Sequence, residues 1–475
     1  MVHISSRLCG SWRLCAKTPV NTGFSKTRVK KVFPILAFLL VTLVIWIPAD
    51  SASAIGFFQD AELSSPRLSA LKKEIQGGDR EALERFWKAV TTQGAPLVEP
   101  IIGDDRHVLL TFLWRAKEET RNVVVVGGVA GNEFSENQMS RLLDTDLWHR
   151  TYKVRNDARF SYHLSLNDSL VPFDKIDITD QKIVMHRIST YKTDPLNSKA
   201  YLGLPPSSLV ELAEAPPQPW IKRSPTVPAG KIEEKRIKSA ILGNERKAWV
   251  YTPPGYKTDA EPYALMVLLD GIAYTLLVPT PVILDNLLNK DLIPPMVAVV
   301  LDNPTPTSRN DEMPCNPRFA DFLAKEVVPW VRENYHVTKD ASKTIVGGSS
   351  YGGLAATFAG FYHPETFGNV ISQSASFWWK PKGDVEHEWL TRQFVASPKL
   401  PVRFYLDIGL LETGPTPDKG PNMVIVNRHM RDVLQAKGYF VHYREFNGGH
   451  EYLNWRGTLA DGLLALVGKV PSDKK

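Results

Sequence analysis

The stretch Val346-Gly-Gly-Ser-Ser-Tyr-Gly-Gly353 places two serines among four glycines. It lies between the apolar run Lys343–Gly348 and the helix-like run Gly353–His363. A serine with glycines two residues either side, at a strand-to-helix junction, is the arrangement of a nucleophile elbow. Gly348-Ser349-Ser350-Tyr351-Gly352 fits with Ser350 at its centre; centring on Ser349 would require glycine at 351, where Tyr stands. Ser350 is therefore the candidate nucleophile.

A serine hydroxyl needs a base to take its proton during attack. His450, behind Gly448-Gly449 and before the helix-like Leu453–Leu466, is the candidate. Glu412, just past the strand-like Val402–Gly409, is the candidate acid, which would hold the imidazole tautomer and stabilise the imidazolium. Asp407 inside that strand, and Glu445 and Glu451 near His450, stand as alternatives. Serine, acid and histidine occur in the chain order of an α/β-hydrolase triad. Such a site needs amides aimed at the oxyanion. The N–H of Tyr351, directly after the serine, is one candidate; Gly271 or Ile272, in Leu268-Leu-Asp-Gly-Ile-Ala-Tyr274, supplies the other. His387-Glu388 and His450-Glu451 lack a second histidine four residues on, so a zinc protease is dropped. No phosphate loop or dinucleotide fingerprint occurs, and no metal or cofactor is expected. Phe377-Trp-Trp-Lys-Pro381 reads equally as an aromatic wall or as core, and Arg309–Asn316 as a pocket loop or a solvated one.

Positioning these residues requires a sheet. From residue 232 onward, apolar strand-like runs alternate with helical ones, the pattern of a doubly wound, mostly parallel sheet. Ligand groups then collect at the carboxyl ends of strands, where Ser350, Glu412 and His450 fall. Ahead of it, residues 101–212 show short alternating runs that predict a smaller antiparallel β-sandwich, and residues 55–100 a helical lead-in. Proline-rich residues 213–231 read as a linker.

The net charge of +6 belongs to residues 1–54. Seven of the 57 Lys and Arg and one of the 51 acids lie there, leaving 50 of each. A neutral remainder gives no overall field for nucleic acid. Residues 1–54 read as an export signal or membrane anchor: basic Lys26–Lys31, uncharged Val32–Pro48, then an Ala52-x-Ala54 cleavage pattern. The expected location is the periplasm, free or anchored to the inner membrane. Cys315 alone follows the leader, so no disulfide or cysteine metal cluster is expected there.

Taken together, Thr111–Arg115, Asp144–Val154, Phe160–Leu164, the Asp270-Gly271 loop, the serine elbow and Gly448–Arg456 resemble the enterochelin (enterobactin) esterase family over residues 100–468. The resemblance implies hydrolysis of a ferric catecholate siderophore, a cyclic trilactone of dihydroxybenzoyl-serine, to help release iron. It implies Ser350 as nucleophile and His450 as base; Glu412 matches by its Gly-x-x-Glu setting from Gly409. Local cations would have to bind the ferric trianion, and Arg115, Arg309 and Arg456 are the candidates. Two-domain members of this family act in the cytoplasm and periplasmic relatives lack the sandwich, whereas this chain combines a sandwich with a leader. The alternative readings are an exported acetyl- or feruloyl-esterase acting on carbohydrate, and a non-catalytic binding protein.

Overall fold

The computed structural model describes residues 65–469 except 132–133, 172–174, 176–180 and 204. The leader reading of residues 1–54, and the lead-in up to residue 64, lie outside the described residues.

Among the described residues, nine strands build two antiparallel sheets. The first has the order β1 (Leu97–Ile101), β2 (Asp104–Arg115), β5 (Leu147–Arg155), β4 (Ser140–Arg141). The second has the order β3 (Val123–Val126), β6 (Arg159–Leu166), β9 (Ser207–Glu211), β8 (Ala200–Tyr201), with β7 (Tyr191–Lys192) also on β6. Leu110 and Phe112 of β2 meet Val123, Val125, Phe160, Tyr162 and Val210 in the core between the sheets. Leu113, pointing the other way, packs under helices Pro66–Gln76 and Ala82–Gln93 with Trp87 and Val90. Because both faces of β2 are covered, its middle from Val108 to Trp114 is apolar but for Thr111, where one open face would have given alternation. The expected helical lead-in thus gives way at Leu97, which starts β1.

The larger sheet has the order β10 (Lys231–Ser239), β11 (Asn244–Thr252), β13 (Met296–Leu301), β12 (Ala264–Leu269), β14 (Thr344–Ser349), β15 (Asn369–Gln373), β16 (Arg403–Gly409), β17 (Phe440–Phe446). From β13 to β17 all pairings are parallel; β10 and β11 join antiparallel. Along β12, Leu265, Val267 and Leu269 enter the core on one face, while Ala264, Met266 and Leu268 enter the core on the other. Strand order reverses at β12, so the crevice beyond β12 and β14 is the switch point where doubly wound sheets bind ligands. The run Pro317–Asn334 is helical with a wide turn at Phe322–Val327, ahead of Pro329, which has no N–H to give to the preceding turn. Edge strand β10 reads Lys-Ile-Glu-Glu-Lys-Arg-Ile-Lys-Ser and is charged on both faces. It was absent from the strands expected of this sequence.

The proline-rich bridge has no regular structure over residues 212–230, yet it is no loose tether. Asn286 Nδ2 donates to the carbonyls of Trp220 (2.8 Å) and Lys222 (2.9 Å), and Gln218 Nε2 to that of Leu453 (2.9 Å).

Helix Tyr351–Tyr362 lies on the sheet through Gly360, where a Cβ would stand 2.6 Å from Val370 Cγ2. Gly360→Val therefore overpacks this contact and costs roughly 1–3 kcal/mol. Thermal denaturation should show a Tm lower by several degrees; an unchanged Tm would contradict the packing described.

Candidate active site

Ser350 is held at φ 57°, ψ −123°, between the last residue of β14 and the helix Tyr351–Tyr362. Positive φ is costly for a residue with a Cβ, and such strain persists only where the surroundings enforce it. Here Ser350 N–H donates to Gln373 O on β15 (3.0 Å), and Ser350 O accepts from Leu354 N (3.0 Å). The turn is tight enough that a Cβ on Gly348 would lie 2.8 Å from the carbonyl carbon of Gly352. Ser349 ends fully buried, while Ser350 is only half buried.

The loops after β15, β16 and β17 gather beside this turn because the four strands are parallel neighbours. Glu412 lies three residues past the end of β16, and His450 four past the end of β17. His450 Nδ1 stands 2.6 Å from Glu412 Oε2. The carboxylate is buried, and its other oxygen accepts from Ser374 Oγ (2.6 Å) and Gly409 N (2.9 Å). Trp455 Nε1 donates to that same Ser374 Oγ (3.1 Å), and its ring meets the His450 ring edge-on at 4.8 Å. With Nδ1 committed to Glu412, Nε2 is the nitrogen left for proton transfer. Among the described residues, Ser350 Oγ is partnered by Ser376 Oγ at 3.4 Å rather than by His450.

Of the other acids, Asp407 lies inside β16 in register with Gln373 and Arg444 and accepts from Ser374 N (3.1 Å). Glu445 is taken by Arg428 through two bonds, at 2.6 and 2.8 Å. Glu451 turns to Ser161 of β6. Register explains the outcome: a carboxylate within the strand stays level with the sheet, whereas one three residues beyond it reaches over the rim.

The loop after β12 comes to the same place. A Cβ on Gly352 would be 3.3 Å from Asp270 Oδ2. Asp270 is left-handed (φ 62°, ψ 58°) and precedes the short helix Gly271–Leu276, so the Gly271 and Ile272 amides are first-turn N–H groups, as is that of Tyr351 in its own helix. Gly271 has no room for a side chain: a Cβ would lie 2.7 Å from Asp302 N.

The three candidate arginines part company. Arg309 reaches the site, in the helix Pro306–Glu312 where a pocket or solvated loop was expected. It binds Asp270 in fork geometry (Nε–Oδ1 and Nη2–Oδ2, both 2.7 Å), 5.8 Å from the Tyr351 ring centre. Burial opposes its charge, but the bonds to Asp270 outweigh this and raise its pKa. It is a brace of the Gly271 loop, already paired, rather than a vacant anion ligand. Arg456 donates to Gln218 Oε1 (2.8 Å) and lies over the Tyr201 ring of β8, while burial lowers its pKa. Arg115 is not brought to the cluster: Asp146 (2.7 Å) and Glu84 hold it beside Trp87. Phe377 and Trp378 are core, Trp378 tilted against the Tyr351 ring at 5.9 Å, and Trp379 is half buried against Trp389. Among the described residues no group of three His, Cys, Asp or Glu is placed to hold a metal ion.

Sequence reasoning missed Gln373. Its backbone oxygen receives the Ser350 N–H, its Oε1 the Tyr274 hydroxyl (2.6 Å), and its Nε2 bonds Trp455 O (2.9 Å) and Thr458 Oγ1 (2.6 Å). One amide thereby ties together the serine turn, the Gly271 helix and the histidine helix. Only its place in a buried strand, among residues that should be apolar, signals it.

Burial pushes the Asp407 carboxyl up to about 7, with the Glu412 charge adding in the same direction. A carboxyl raised by folding holds its proton more tightly in the native chain. Its contribution to stability is full in acid and is lost as pH climbs through about 7. Asp407→Asn has no such ionisation, so its Tm should gain on wild type between about pH 5 and about pH 8. Parallel melting curves for the two proteins at both ends of that range would show no trend if Asp407 were freely charged.

The family model described as a putative esterase matches residues 239–466, and that described as enterochelin esterase, N-terminal, matches residues 109–221. The iron(III) enterobactin esterase of Dickeya dadantii is 30% identical over 434 residues, covering 84% of this chain and 95% of its own length. The ferric enterobactin esterase of Salmonella typhimurium superposes with TM-score 0.66 at 28% identity, over 81% of this chain and 98% of its own. The Shigella flexneri enterobactin esterase, crystallised in the presence of enterobactin, gives 0.62 at 28% identity, over 78% and 95%. The chain belongs to the enterochelin (enterobactin) esterase family and is a carboxylic ester hydrolase.

Proposed function

We propose that this protein cleaves the serine ester bonds of a catecholate trilactone siderophore, with iron(III) carried as cargo, and that Ser350, His450 and Glu412 do the chemistry. The observation that carries the site assignment is the 2.6 Å contact of Glu412 with His450 Nδ1, one loop away from the strained Ser350 turn. The siderophore assignment rests on the named relatives, which span nearly their whole length on this chain.

In this reading Ser350 exchanges its Ser376 partner for His450 Nε2. The hydroxyl oxygen bonds to the ester carbonyl carbon, the proton passes to Nε2, and the carbonyl electron pair becomes an oxyanion. The amides of Tyr351 and of Gly271 or Ile272 receive that charge; a donor of this kind typically lowers the barrier by about 3 kcal/mol. The tetrahedral adduct collapses by expelling the serine-derived alkoxide, which takes the proton back from Nε2. Water then bonds to the acyl carbon while giving a proton to Nε2, and collapse breaks the bond to Ser350 Oγ, which takes that proton from Nε2 as the acid leaves. Glu412 fixes the tautomer with the proton on Nδ1 and balances the imidazolium. The first cut opens the ring and later cuts shorten the linear trimer, so the chelator holds iron less tightly. The basic and apolar leader supports placing this reaction outside the inner membrane, free or anchored; N-terminal sequencing of periplasmic and membrane fractions tests that placement.

Mass analysis of products from iron-loaded and iron-free enterobactin should show linear trimer, dimer and monomer of dihydroxybenzoyl-serine. Ser350→Ala should lower kcat by roughly 10⁴-fold or more. Feruloylated and acetylated sugars serve as competitors in the same assay, and faster turnover of either would redirect the substrate assignment.

Glu412→Gln should lower kcat roughly 10³-fold with little change in KM, because it spoils the tautomer while leaving the pocket intact. Asp407→Asn should cost less than about tenfold in the same kinetic assay. The reverse ranking would move the acid to Asp407.

A further inference from the structure

The loop carrying His450 is bonded along its length to the other domain. Arg159 N, at the start of β6, donates to Asn447 O (2.9 Å), and Asn447 Nδ2 donates to Asp157 Oδ1 (2.9 Å). The α-carbon of Gly448 lies so near the sandwich that a Cβ there would stand 2.7 Å from Arg159 O. Two residues beyond Arg159 and three beyond Gly448, Glu451 receives both the N–H of Ser161 (3.0 and 3.2 Å to its two oxygens) and its hydroxyl (2.5 Å). The partner loop is held as well: Leu411, next to Glu412, packs against the sandwich core. His450 and Glu412 thus stand on two short loops whose far sides are both fastened to the N-terminal domain.

We propose that the sandwich is a positioning element of the catalytic apparatus, with Glu451 and Ser161 as the residues that set where His450 stands. This rests on the catalytic reading of Ser350 and His450 given above. The alternative role for such a domain, covering or shaping the pocket, makes no demand on Glu451. Yet this carboxylate is spent on β6, adjacent in sequence to the imidazole and facing no hydroxyl of the serine turn. The groups around it are Ser161, Glu412, Arg456 and Tyr201. Burial and the Glu412 charge push it up to about 7, against the Ser161 bonds and Arg456. Misplacing a catalytic group by about 1 Å can cost about 10²-fold in rate, so loosening this contact should register in kcat.

The test uses the full chain and two substrates, enterobactin and p-nitrophenyl acetate, the latter too small to need a cover. Ser161→Ala keeps the backbone N–H and loses the hydroxyl; Glu451→Gln keeps the shape and loses the charge. Both should lower kcat by about tenfold on both substrates with KM little changed. Ser161→Thr, which restores a hydroxyl, should recover most of the loss, and melting curves taken alongside identify any variant that fails to fold. A loss on enterobactin alone would overturn the proposal in favour of a substrate-covering role, and no loss on either would overturn it outright. Ser350→Ala, run in parallel, separates the two levels: if it retains esterase activity, the catalytic assignment itself fails, whatever the Ser161 and Glu451 variants do.

Discussion

The contact between Glu412 and His450 is the constraint around which the rest of the site is arranged. It exists only because β16 and β17 are adjacent and parallel, so that loops leaving the same end of the sheet can meet. The carboxylate is buried, and a buried charge is tolerable only when its lone pairs are filled. Ser374 and the Gly409 amide fill them, and Trp455 fixes Ser374 in turn. Each of these groups comes from a different strand end or from the last helix.

A second brace does for the Asp270 loop what Ser374 does for Glu412. Arg309 grips Asp270 in a residue conformation that favours glycine, and Asn303 adds a third bond at 2.7 Å. The Gly271 loop is thereby fixed beside the elbow, with Asp270 close to Gly352. Gln373 joins this side to the histidine side. The site is therefore a framework of hydrogen-bonded polar groups set between two apolar cores.

Much of this was legible in the chain. Strands buried on both faces announce themselves as apolar runs, which is why β12 to β16 could be read in order and why Ser350 and Glu412 fell at carboxyl ends; β17, ahead of His450, is an edge strand and largely exposed. The strand β10 could not be read that way, because this edge strand carries charges on both faces, Glu233 and Lys235 standing on the same side as the buried Ile237 and Ser239. Two-residue strands such as β4, β7 and β8 are too short to leave a pattern. The choice among Asp407, Glu412, Glu445 and Glu451 turned on register and on partners far away in sequence. Ser161 lies 290 residues from Glu451, and no local rule connects them. The arginines misled for the same reason: their charge was visible, but the carboxylates that engage Arg115 and Arg309 were not.

The charged margin formed by β10 bears on how the molecule meets copies of itself. Its outward residues include Lys231, Glu234, Arg236 and Lys238, so a second chain approaching to continue the ladder would have to dehydrate a row of ions for each few backbone bonds gained. Fibrous growth by lateral addition is thereby disfavoured along this border. A long open sheet can then be kept in a concentrated compartment without a dedicated cap over its first strand.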